Sequence, residues 1–196
     1  PIVCAAPWRP LSSATWFAGF RQRRDNKRPV TGTLWAQYAL YNRLANETLY
    51  AACADLSEAE RRRDLGAFFR SVHGTLNHLL LGDRIWMTRF EGGSHPSTDL
   101  GAVLHEQFEA LRAARREMDG RIETFFAALP PGFLSRALRY VNNSGFDSDD
   151  PVEVILPHFF NHQTHHRAQI HTMLSQLGRD PPVLDLHRVL RPDPRP

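Results

Sequence analysis

The chain is short of the features that would place it in several broad classes. It has only two cysteines, Cys4 and Cys53, in 196 residues. Neither sits in a CxxC pair, which excludes a disulfide framework and makes a reducing compartment the default reading. No apolar run approaches the roughly 20 residues needed to span a bilayer; the triplet Leu79-Leu80-Leu81 is cut off by Asp83 and Arg84. Residues 1–20 lack a basic stretch followed by a continuous apolar one and a cleavage site, so they do not read as a signal peptide. No internal repeat is evident. Dense basic runs are also scarce: beyond Arg61-Arg62-Arg63 and the stretch from Arg21 to Arg28, the arginines are scattered. The net charge of +3 and pI near 9.3 therefore read as solvated surface rather than a nucleic-acid interface. These absences leave a cytoplasmic protein with neither a membrane nor a nucleic-acid partner.

What is present is helical periodicity. Length and a hydrophobic share of 42% fit one compact domain. Residues 1–30, broken by Pro1, Pro7, Pro10 and Pro29, read as a loosely packed or disordered extension. A domain is expected over 31–190, with a tail at 191–196. Leu34, Tyr38, Tyr41, Leu44, Ala45, Leu49 and Ala52 recur at helical spacing and predict a helix over 32–53. Ser57 and Glu60 form a capping-box pattern. The apolar series from Leu65 through Phe68, Phe69, Val72, Leu76 and Leu79 to Phe90 predicts a second helix, ending near Gly92-Gly93. A third is expected from about Asp99 to Leu129, stopped by Pro130-Pro131-Gly132. Residues 133–149 carry the turn Asn142-Asn143-Ser144-Gly145 and predict a short hairpin or irregular crossover. The fourth helix is expected to start at Asp150 as N-cap, with Pro151 and Glu153 following, and to stop at Gly178. Pro157 falls inside it. Four long helices predict an all-α four-helix bundle.

The last helix carries five histidines: His158, His162, His165, His166 and His171. At 100° per residue, His162 and His166 stand about 40° apart on one face. Two imidazoles at that spacing can converge on one ion. A third ligand must come from elsewhere, and the second helix offers His73 and His78. His78 has Gly74 and Gly82 one turn away on either side, which would allow a close approach. The bland alternative is a set of hydrogen-bonded core histidines. Gln163 follows His162 where a metalloprotease HExxH motif would need a glutamate. His95, His105 and His187 read as surface residues.

The stretch Gly74-Thr-Leu-Asn-His78-Leu-Leu-Leu-Gly-Asp-Arg-Ile-Trp86 resembles the second-helix signature of the DinB/YfiT-like family. Phe160-Asn-His162-Gln-Thr-His-His166-Arg-Ala-Gln169 resembles its fourth-helix signature. The resemblance covers about 33–190. It implies a four-helix bundle, often a homodimer, with one divalent metal ion on His78, His162 and His166. Asn77, Asp83, Arg167 and Gln169 match signature positions without an assigned role, and Ala168 stands where glycine is usual. Three neutral histidines would leave a coordination position open, as catalytic sites do. The ligand set suits Zn, Ni, Fe or Mn.

The resemblance further implies a metal-dependent enzyme acting on a small-molecule substrate: a thiol-S-transferase using a low-molecular-weight thiol, or a hydrolase activating water. No catalytic base is identified. Asp83 is a candidate to orient a ligating imidazole, although it lies about 140° from His78 around a helix; a surface ion pair with Arg84 or Arg116 is the other reading. The competing class is a stress-induced binding or dimerisation module with a structural cluster. Such a cluster would be closed by a fourth ligand, His158 or His165.

Overall fold

The computed structural model describes residues 33–95, 99–142 and 144–192. The expected extension at 1–30, Cys4, Asn143 and most of the expected tail lie outside the described residues. Those described form six α-helices, one 3-10 turn and a two-stranded sheet. None of these helices is long and apolar enough to cross a membrane.

Thr33 opens α1 (Leu34–Ala54), its hydroxyl accepting from the Ala36 N–H. The capping box forms as the spacing predicts, at the start of a short α2 (Glu58–Arg62). Arg61 donates to the carbonyls at the end of α1, and Arg62 pairs with Glu58 and Glu106. Much of the arginine run is thus spent on the chain's own acceptors.

The second long helix, α3 (Val72–Phe90), starts later than the apolar pattern predicts. Leu65, Phe68 and Phe69 lie in a tight loop instead. Gly66 and Arg70 both take positive φ, at 74° and 65°, which a helix cannot contain. The loop is tied by Leu65 N–H to the Arg70 carbonyl, and Ser71 then caps α3 on the Gly74 N–H. A Cβ on Gly74 would fall 2.3 Å from the Phe69 carbonyl oxygen, so only glycine lets the loop fold back here.

The third long helix, α4 (Phe108–Ala127), also starts later than expected. Residues 99–107 are irregular, and Asn77 holds the segment at His105: its Oδ1 accepts from the His105 N–H and its Nδ2 donates to the His105 carbonyl. A 3-10 turn (Phe133–Ser135) leads to an antiparallel hairpin, β1 (Ala137–Val141) and β2 (Asp147–Pro151). The hairpin alternative is the one observed. Asp150 is therefore not a helix cap; it lies in β2 and accepts from the Tyr140 hydroxyl. The last long helix, α5 (Val152–Gln176), follows directly and runs through Pro157. It ends in a Schellman turn: Arg179 N–H reaches the Leu174 carbonyl, Gly178 N–H the Ser175 carbonyl, and Gly178 sits at φ 73°. A short α6 (Leu186–Leu190) packs on α1, where the Tyr41 hydroxyl donates to the Leu184 carbonyl.

The long helices meet pairwise, α1 against α4 and α5, and α3 against α4 and α5. One end of their shared core is aromatic, with Phe90 edge-on to Phe126, Phe133 and Phe159. The middle is polar. Asp83 on α3 is fully buried, 2.6 Å from Arg115 on α4, and also accepts from Gln163 on α5. Arg115 lies 2.9 Å from Asp119, which accepts from Asn42 and Asn46 on α1. Arg167 on α5 completes the set by donating to the same two asparagines. Asp83 is thus neither an imidazole partner nor a surface residue.

Removing one member of a buried pair leaves an uncompensated charge, at a cost of about 3–5 kcal/mol. Asp83→Ala is expected to lower the free energy of urea unfolding by that amount. Exposed Arg63→Ala is the control and should stay within about 0.5 kcal/mol of the parent.

Candidate metal centre

His78 lies midway along α3, and His162 and His166 lie one turn apart on α5. The structure brings these three together. Their ligating nitrogens all fall within 4.8 Å of one another. His78 Nε2 and His162 Nε2 are 3.1 Å apart. A tetrahedral ion with bonds of about 2.0–2.1 Å would set its nitrogens about 3.4 Å apart. The donor set therefore fits a divalent ion with small adjustments of side-chain torsion.

Hydrogen bonding prepares the rings. His78 Nδ1 is 2.9 Å from the Leu100 carbonyl. A carbonyl only accepts, so Nδ1 carries the proton and Nε2 presents its lone pair to the cluster. His166 Nδ1 is 2.8 Å from Gln169 Oε1, which leaves its Nε2 for ligation. Burial disfavours the charged form of all three. It holds His162 down to about 3, with the neighbouring histidines adding to the effect, and His166 down to about 4. His78 is lowered too, again chiefly by burial. At neutral pH all three are uncharged, the form that binds a metal.

Close packing sets the distances. A Cβ on Gly82 would fall 2.9 Å from His162 Cε1, so this glycine lets α5 bring its ring against α3. The loop before α3 supplies Phe69, whose ring stacks on His78 with centroids 3.8 Å apart and meets His166 edge-on. Phe68 packs edge-on against Phe69 and is 83% exposed.

The other described histidines are not part of this group of ligand atoms, although the His165 ring stands edge-on to His166. His73 is buried and bonds the His105 carbonyl through Nε2 at 3.0 Å. His158 is exposed and edge-on to Trp86, with its ring 6.1 Å from His162. His165 is exposed, and its Nε2 is 3.1 Å from Gln169 Nε2. His105 is half-buried rather than a surface residue. Sequence reasoning missed the Leu100 carbonyl, because a backbone acceptor leaves no side-chain signature. It missed Phe69 as a wall of the site, because the apolar spacing assigned that residue to a helix face.

Gly82→Ala should separate the site from the fold. Alanine favours the helix over glycine by about 1 kcal/mol, so the melting temperature is expected to hold or rise. The added methyl pushes the His162 ring aside, and zinc affinity, read by competition with a chromophoric chelator, should fall at least tenfold, an order-of-magnitude estimate for displacing one ligand.

The DinB family profile matches residues 26–195, most of the chain, and so the chain belongs to the DinB family. Protein DinB of Bacillus subtilis (strain 168) is 28% identical over 148 residues, which cover 70% of this chain and 83% of that protein.

Proposed function

We propose that this DinB-family chain is a four-helix bundle that holds one divalent ion on His78, His162 and His166 and works as a metal-dependent enzyme. The observation that carries the reading is the convergence of three neutral imidazoles with no fourth ligand among the described residues. His158 and His165, the residues that would close a structural site, face Trp86 and Gln169 instead. An ion bound there would supply Lewis acidity and favour the deprotonated form of a thiol or water at the open position.

The chain's own groups narrow the choice of nucleophile. Cys53 is buried, and burial pushes its thiol up to about 12, far from the thiolate. Among the described residues no thiol is poised to react, and the reading has a thiol enter as a separate small molecule. The thiol-S-transferase class is the first reading, with hydrolysis by water as the second chemistry. Phe69 shields one face of His78 from solvent. The same reading carries a homodimer, which light scattering would report as twice 22.4 kDa.

Two measurements test the proposal. Elemental mass spectrometry on protein purified without an affinity tag should find about one metal per chain, lost in His78→Ala, His162→Ala and His166→Ala. A metal-free parent, or variants that keep full stoichiometry, would overturn the ligand set. Adding 2-mercaptoethanol to the Co(II)-loaded protein should raise a sulfur-to-cobalt charge-transfer band. No band would mean a closed site, and the non-catalytic module would then be the better reading.

A further inference from the structure

We infer that Gln169 is a positioning residue that holds His166 in the one tautomer able to ligate an ion. This rests on the metal reading above. Gln169 lies three residues beyond His166 and four beyond His165 on α5, the two spacings that make neighbours on a helix surface. The two ends of its amide face two different rings. Oε1 is 2.8 Å from His166 Nδ1, and Nε2 is 3.1 Å from His165 Nε2.

An amide oxygen only accepts and an amide nitrogen only donates. In the observed direction His166 must be protonated on Nδ1, so its lone pair lies on Nε2. His165 must then present a lone pair at Nε2 to receive the amide N–H. Turned by half a rotation, the amide would donate to His166 Nδ1. The neutral ring would carry its proton on Nε2, and the third ligand would be lost. His78 takes its tautomer from the Leu100 backbone carbonyl, which offers an oxygen only. His166 takes its tautomer from a side-chain amide, which turns its oxygen to Nδ1 in the observed direction. This gives a role to a signature residue that had none.

Two substitutions separate orientation from packing. Gln169→Leu keeps the volume and removes both amide ends. Gln169→Glu keeps an oxygen acceptor for His166. Zinc affinity is read by chelator competition, and the His166 tautomer in the metal-free protein by long-range nitrogen–proton NMR correlations. Gln169→Leu should bind zinc about 10- to 100-fold more weakly and populate the Nε2–H form of His166. Gln169→Glu should restore both the affinity and the Nδ1–H form. A leucine variant with parental affinity and tautomer would overturn the inference. So would a folded glutamate variant that restores neither. If the parent binds no zinc, the metal reading falls, and the metal-free spectra still decide the role of Gln169: the Nδ1–H form must depend on it.

Discussion

A carboxylate with no solvent exposure sets the arrangement of this molecule. Taking Asp83 out of water costs several kcal/mol, and the cost is met only because Arg115 and Gln163 reach it from two other helices. Arg115 in turn meets Asp119, and Asp119 and Arg167 share Asn42 and Asn46. Two buried acids and two buried bases balance, and every long helix contributes. Apolar packing alone would tolerate small rotations of these helices. A polar network of this kind does not, because a turn of one residue would strand a charge.

That constraint bears directly on the candidate metal centre. Gln163 and Arg167 each follow a candidate ligand by one residue on α5. They repeat the spacing of His162 and His166, about 100° further around the helix. With Gln163 and Arg167 anchored in the core network, the two histidines are aimed at α3. Gly82, the neighbour of Asp83, removes the side chain that would keep the His162 ring away. The network and the site are therefore two faces of one contact between α3 and α5. The irregular segments finish the work: residues 99–107 bring the Leu100 carbonyl to His78, and the loop before α3 lays Phe69 over it.

Much of this was legible in the residues. The apolar spacing located all four long helices, and the Ser57–Glu60 box and the Gly178 stop were read correctly. Where the reading of helix starts failed, the cause was local. Leu65, Phe68 and Phe69 keep helical spacing, but their backbone is committed to a loop. Residues 99–107 continue an apolar pattern, but the amide and carbonyl of His105 bond to the Asn77 side chain. Asp150 has the identity of a helix cap and pairs with Tyr140 across a hairpin instead.

The i, i+4 pair on α5 follows from helix geometry, so the sequence by itself determined that His162 and His166 share a face. It also marked His78, through the glycines around it and the resemblance of its surroundings to a known signature. The tertiary structure brought His78, and not His73, to that pair, and only it decided that Asp83 serves the core rather than an imidazole. It also set which nitrogen His78 and His166 present. Periodicity fixes angles around one helix, whereas distances between helices and the direction of a hydrogen bond depend on partners distant in sequence.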